Sequence, residues 1–269
     1  MNPSHLGTAV VTGASTGIGA LYAERLAARG YDLVLVARNG VRLLELSARL
    51  QAQTGRSVRA ISADLGDRAD LARIETLLRE DSAITMLVNN AGVGATAPLL
   101  ASSIDRMEAM IALNVTALTR LSYAAAPGFV ARGQGTIVNI ASIVALAPEI
   151  LNGVYGASKA YVLALSQSLQ HELQDKGVRV QAVLPGATAT DFWSTAGTPV
   201  EHLPQEIVMR ADSMVDAALA GLDAGELVTI PGLEDGAKYA AYEAARLAMH
   251  PELSTSIPAS RYRALVPAS

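Results

Sequence analysis

The segment Thr12-Gly13-Ala14-Ser15-Thr16-Gly17-Ile18-Gly19 decides the fold. It joins a short aliphatic run at residues 9–11 to a stretch with helical spacing at 18–29. Strand, glycine turn and helix in that order form the setting in which backbone approaches a dinucleotide pyrophosphate. Gly13 permits the tight turn, Gly17 lets the backbone come close to the phosphates, and Gly19 lets helix and strand pack closely. The first turn of the helix offers free N–H groups and the positive end of its dipole. Ser15, Thr16 and Ile18 complete the candidate phosphate loop. The same five residues, 13–17, also fit the nucleophile elbow of α/β-hydrolases. That elbow normally follows several strands rather than the first, and it leaves Gly19 unexplained.

Outward from this segment the pattern repeats. Short uncharged runs rich in Val, Ile and Leu occur at 9–11, 33–37, 58–61, 84–88, 136–140, 178–184 and 227–230. They read as strands buried on both faces. Helical stretches at 18–29, 41–53, 69–80, 103–125 and 154–176 lie between them. The alternation predicts a single α/β domain over residues 1–269, a Rossmann-type doubly wound parallel sheet of about seven strands with helices on both faces. The least regular regions are 188–204, within a lid-like segment expected at 188–222, and a Pro-containing tail at 250–269.

Composition removes several function classes. The 269 residues contain no Cys, which excludes thiolate metal sites, disulfides and Cys nucleophiles. The four His have no ligand spacing, and His171-Glu172 lacks the second His of a zinc helix, so no metal is expected. A net charge of −4 argues against nucleic acid as a partner. No apolar stretch is long enough for a membrane span, and a cytoplasmic location is the default expectation.

Further motifs follow in order. Asn89-Asn90-Ala91-Gly92 comes after the fourth run, Asn114 lies in the next helix, and Ser142 ends the fifth run. Tyr155-Gly156-Ala157-Ser158-Lys159 begins thirteen residues later, and Pro185-Gly186 with Thr188 and Thr190 follows the sixth run. This ordered set resembles the short-chain dehydrogenase/reductase (SDR) family from Thr8 to about Phe192. The resemblance implies hydride transfer between a nicotinamide and a carbonyl or secondary alcohol, with Asn114, Ser142, Tyr155 and Lys159 as the catalytic set. It further implies that Asn90, Ala91, Gly92, Pro185, Gly186, Thr188 and Thr190 border the cofactor, and that Asp64 and Leu65 lie at its adenine end. Lys159 would hold the nicotinamide ribose, and Asn114 would position a proton-relaying water.

The residue types suit that chemistry. A free Tyr titrates near ~10, and a cation one helical turn away would lower that value. Tyr155 and Lys159, at i and i+4, share a helix face. Ser142 can donate to the substrate oxygen as charge develops. Arg38 ends the second run, where an enzyme using NAD would carry an acidic residue. A guanidinium there suits a 2′-phosphate, so NADP(H) is the expected cofactor.

Ile143, Phe192 and Trp193 are candidate substrate contacts with Ser142 and Tyr155, which suggests an apolar carbonyl or alcohol. Phe192 and Trp193 would be buried if residues 188–204 close over the site. Apolar residues on more than one face of the 154–176 helix predict a homodimer or homotetramer, and Ser166 is expected on the cofactor-facing side with Tyr155 and Lys159. The alternative function is a redox-inactive NADP-binding regulatory protein; such proteins usually lack the Tyr or the Lys.

Overall fold

In the computed structural model, which describes residues 6–263, seven strands form one parallel sheet. They are β1 (Thr8–Thr12), β2 (Asp32–Ala37), β3 (Val58–Ser62), β4 (Ile84–Asn89), β5 (Gly135–Ile140), β6 (Val178–Val183) and β9 (Val228–Thr229). Their order is β3-β2-β1-β4-β5-β6-β9, and every pair is parallel. The order reverses between β1 and β4, so a crevice opens at the carboxyl ends of those two strands. Two strands outside the expected set, β7 (Thr188–Ala189) and β8 (Met209–Arg210), pair with each other after β6.

Successive strand residues supply opposite layers, as a pleated strand requires. Ala9, Val11, Leu33 and Leu35 pack with Tyr22 and Leu26 of α1 (Gly17–Arg29), Leu43 and Leu46 of α2 (Gly40–Thr54) and Met214 and Val215 of α8 (Ala211–Asp223). Val10, Val34 and Val36 instead pack with Leu71 and Ile74 of α3 (Arg68–Glu80), Leu121 and Phe129 of α5 (Leu118–Arg132) and Leu169 and Leu173 of α6 (Gly153–Leu173). The core is almost wholly aliphatic, as two Phe and one Trp require.

Three expectations need correction. The single helix expected at 103–125 is two helices, α4 (Ile104–Ile111) and α5, joined by a π-helical turn at Ala112–Ala117 that contains Asn114. The widened turn breaks the 3.6-residue repeat without any Gly or Pro to announce it, and such bulges gather at functional positions. The lid-like segment also shrinks. Residues 211–222 lie in α8, whose Met214, Val215, Ala218, Leu219 and Leu222 are core residues, so that part is structural rather than a cover. The stretch read as among the least regular, 188–204, contains a short helix, α7 (Phe192–Ala196).

The described residues form two compact units, dividing between Gly232 and Leu233. The second unit contains α9 (Gly236–Ala248), none of whose residues is buried, and the four-residue α10 (Ser260–Arg263). Residues 264–269 of the expected tail lie outside the described residues. No helix among the described residues is long and apolar enough to cross a membrane.

Candidate active site

The ends of β1 and β4 lock together before any side chain of the expected catalytic set enters. Thr12, at the end of β1, donates its hydroxyl to Val88 O (3.2 Å) and accepts from Asn90 N (2.9 Å) and Ala91 N (3.0 Å). Asn90 Nδ2 returns the contact to Thr12 O (2.8 Å) and Gly13 O (3.2 Å). Gly13 has φ +65°, and a Cβ there would press on Asn90 and Ala91. A Cβ on Gly19 would overlap the Gly13 carbonyl, so only glycine lets α1 start this close to β1. Thr12 therefore belongs to the site, although the sequence presents it only as the residue before the first glycine.

The start of α1 is open to an anion. Thr16, its N-cap residue, makes no side-chain cap bond, and the first turn holds no acidic residue. Ser15, Thr16 and Ile18 stand partly exposed along the loop. Gly17 (φ +55°) faces Thr190, whose methyl would lie 3.2 Å from a Cβ at that position. Arg38 is exposed just past β2, and its guanidinium has no ion pair among the described residues. Asp64 is exposed, with one carboxylate oxygen accepting from Gly66 N at 2.9 Å, whereas the Leu65 side chain is committed to the core. These features suit a dinucleotide: a bare backbone cradle, an uncapped helix start, and a free cation where a ribose phosphate would lie.

The other half of the site rides on α6. Asn152 caps that helix by accepting from Val154 N (2.9 Å) and Tyr155 N (3.4 Å), and it donates to Ala97 O (2.7 Å) and Ser102 Oγ (3.0 Å). It thereby sets the starting angle of the helix against the loop after β4. The sequence signal for Asn152 was an Asn directly before a helix, a strong N-cap preference. Tyr155, Lys159, Val162, Ser166, Leu169 and Leu173 form one buried stripe along α6. Ser166 does not face the cofactor side as expected. It accepts from Asn139 Nδ2 (3.0 Å) inside the sheet, because it lies three turns further down the stripe than Tyr155.

Lys159 Nζ donates to Ile140 O at 2.8 Å and lies 5.9 Å from the centre of the Tyr155 ring. That is its one hydrogen bond among the described residues, so a buried ammonium keeps donors beside Gly92, where a Cβ would come within 3.6 Å of Nζ. Burial holds the Lys159 pKa down to about 8. The expectation that Lys159 lowers the Tyr155 pKa is reversed in the protein alone. Burial pushes the Tyr155 phenol up to about 12, opposed only in part by its hydrogen bond with Ser142. Lys159 does not oppose this, because an ammonium with a pKa of about 8 has given up its proton before a phenol near 12 ionises.

Asn114 is 1% exposed. Its Oδ1 accepts from Val93 N (2.9 Å), and its Nδ2 donates to Val93 O (2.8 Å) and Ser158 Oγ (3.2 Å). The side chain thus clamps the loop after β4 onto α6. Ser142 caps a 3-10 turn, Ile143–Ala145, and Ile143 N donates to Pro185 O at 3.0 Å. A Cβ on Gly186 would sit 3.9 Å from Ile143 Cδ1, so Ile143 borders the Pro185-Gly186 turn. Thr188 is buried, donates to Gly186 O (3.1 Å), and accepts the indole N–H of Trp193 at its carbonyl (3.0 Å).

Around Tyr155 stand Ala95, Met107, Met110 and Val144, with Val93, Leu151, Val154 and Phe192 packed against them. Of the two expected aromatic contacts, Phe192 reaches Tyr155, with ring centres 5.8 Å apart. Trp193 is buried behind it, edge-on to Phe192 at 5.6 Å. The two Met and Ala95 were missed because the π-helical turn and the loop after β4 fix their direction.

Residues 7–200 match the short chain dehydrogenase family. The chain belongs to that family. Among solved structures, it is similar to a short-chain dehydrogenase from Sphingobium yanoikuyae in complex with NADPH, at 51% identity and a TM-score of 0.93, covering 96% of this chain and 100% of that one. It is also similar to the bulky-bulky ketone specific alcohol dehydrogenase from Comamonas testosteroni, at 45% identity and a TM-score of 0.89, covering 97% and 100%. The very-long-chain 3-oxoacyl-CoA reductase of Anas platyrhynchos is 36% identical over 208 residues, 76% of this chain and 66% of that longer protein.

Proposed function

We propose that this short-chain dehydrogenase is an NADP(H)-dependent carbonyl reductase and alcohol dehydrogenase, with Tyr155 as general acid and base. One observation carries the reading: buried Lys159 lies beside Gly92, in the loop whose Ala91 packs on Gly13, with its Nζ 5.9 Å from the Tyr155 ring. When bound, the reduced nicotinamide supplies the hydride. The α1 start and Gly17 would hold its pyrophosphate, Arg38 its 2′-phosphate, and Lys159 its nicotinamide ribose.

The chain's own groups then handle the proton. At neutral pH Tyr155 holds its proton and donates it to the carbonyl oxygen, with Ser142 as the second donor. In the reverse direction Tyr155 accepts the alcohol proton. Asn114, bonded on both sides to Val93, fixes the loop next to α6 and so sets the width of the site. The apolar residues around Tyr155 exclude water and favour a ketone with apolar substituents. The neighbours described above as acting on bulky ketones and on 3-oxoacyl-CoA agree with that class. Incubation with NADPH and a panel of such ketones, followed at the absorbance of the reduced nicotinamide, tests the reading. Binding of NADPH without oxidation by any ketone would favour the redox-inactive alternative.

Arg38→Asp should weaken NADPH binding by about 10- to 100-fold, the range for lost charge-assisted hydrogen bonds, while NADH loses far less. Equal loss of both, by fluorescence titration, would remove Arg38 from cofactor selection.

Val162, Leu163, Leu169 and Leu173 are covered by the chain's own fold. What remains exposed is Ile111, Tyr123 and Tyr161, beside an open apolar groove lined by Val115, Val154 and Ala157. We assign this face, built from the end of α4, the π-helical turn and α6 with Tyr123 of α5 nearby, to a homodimer or homotetramer contact. Light scattering at micromolar concentration should give at least twice the chain mass; a strict monomer would reject the assignment.

A further inference from the structure

Gly94 has no backbone reason to be glycine. Its φ lies outside the left-handed region, which among the described glycines includes Gly13 and Gly17 but not Gly94. What its missing side chain provides is space. A Cβ there would overlap the Phe192 ring at Cζ and Cε2. The ring therefore rests on bare backbone, with Tyr155 on another side at 5.8 Å and a tilt of 43°.

Phe192 is also held from behind. Trp193 meets it edge-on, and Trp193 is itself fixed by its bond to Thr188 O. The far end of α7 is tied to the loop that carries Gly94. Ala196 O accepts from Thr96 N (3.0 Å) and Thr96 Oγ1 (3.1 Å), and Thr198 Oγ1 donates to Thr96 Oγ1 (3.0 Å). Five residues of helix would not hold an aromatic ring in place unaided. Three hydrogen bonds and a T-shaped contact do.

We propose that Phe192, seated on Gly94 and latched through Thr96, is the wall that sets substrate shape, and that it selects ketones with a flat, aryl substituent next to the carbonyl. This rests on the reductase reading above. An aryl group can lie against the Phe192 ring in an offset or edge-to-face arrangement. A saturated ring of the same size is thicker. It must push Phe192 outward, and the Thr96 bonds and Trp193 resist that movement. Gly94 and Phe192 thus act as a pair: either one enlarged or removed changes the same wall.

The test compares two ketones of nearly equal length, phenyl methyl ketone and cyclohexyl methyl ketone, with NADPH. The wild-type ratio of kcat/KM should favour the aryl ketone by about fivefold or more, the size of one aromatic contact. Phe192→Leu should lose that ratio through KM, and Phe192→Tyr should keep it. Gly94→Ala should displace the ring and depress the aryl ketone most. Gly94→Ala combined with Phe192→Ala should match Phe192→Ala alone, because no ring remains to displace. Melting temperature and NADPH affinity confirm that each variant folds; a melting deficit in Gly94→Ala that Phe192→Ala relieves supports the seat independently of turnover. If the wild type reduces both ketones equally, or the two substitutions add without rescue, this proposal fails and the reductase reading stands. If the wild type binds NADPH but reduces neither these nor the wider ketone panel, the reductase reading fails and takes this one with it.

Discussion

Tyr155→Phe should lower turnover of ketone reduction by about three orders of magnitude, within the span that a positioned general acid contributes. The substitution is unusually clean here. Tyr155 is 5% exposed and packs among Ala95, Met107, Met110, Val144 and the Phe192 ring, all apolar partners that a Phe retains. Only the hydroxyl and its bond with Ser142 disappear. The pKa of about 12 means that the hydroxyl is a proton donor throughout the neutral range, so the whole wild-type population is competent for reduction. Ser142 stays, and its hydroxyl still polarises a carbonyl, which is why the loss is finite rather than complete. NADPH affinity should change by less than about threefold, since Lys159, Arg38 and the glycine cradle are untouched. Single-turnover oxidation of bound NADPH by a ketone measures the step directly. A decline of less than about tenfold would mean that another group delivers the proton.

The parts of this site that could be read in the sequence are those whose chemistry is local. Gly13, Gly17 and Gly19 announce a turn because spacing alone defines it, and Tyr155 with Lys159 share a face because four residues make one helical turn. All seven sheet strands match their aliphatic runs to within two residues at each end. What escaped depends on partners far along the chain. The latch between Thr96 and Ala196 joins residues 100 apart. The seat of Phe192 on Gly94 looks, in sequence, like one glycine in a loop. The π-helical turn carries Asn114, whose amide is bonded at both ends to Val93, a partner that no periodicity records. The raised pKa of Tyr155 escapes the sequence for a related reason. Spacing shows that a cation is near, but burial, which dominates both shifts, is a property of the finished fold.

Lys159→Met should abolish most turnover and at the same time alter how the cofactor-free protein responds to pH. Lys159 is 6% exposed, and burial lowers its pKa to about 8. In the unfolded chain the same group titrates near ~10.4. Below about pH 8 both states carry the proton, and the fold bears the full cost of a buried ammonium. Between pH 8 and about 10.4 the unfolded chain binds more protons, so this group makes stability rise with pH across that window. A shift of this size corresponds to about 3 kcal/mol, offset by the hydrogen bond to Ile140 O, whose loss in the variant costs about 1–3 kcal/mol. The melting temperature at neutral pH is therefore expected to change by only a few degrees. The slope is the sharper readout. From pH 8 to 10 the wild type should gain stability relative to Lys159→Met, because Met cannot shed a proton. Tyr155 does not blur the comparison: its raised pKa affects stability only above about 10, and the residue is present in both proteins. NADPH affinity should also fall, since the ammonium beside Gly92 is removed. Melting curves of the cofactor-free proteins at half-unit pH intervals would decide the matter. Parallel curves for wild type and variant would show that Lys159 carries no depressed pKa in the fold, and with it would go the idea that this protein keeps a costly buried cation for the sake of its chemistry.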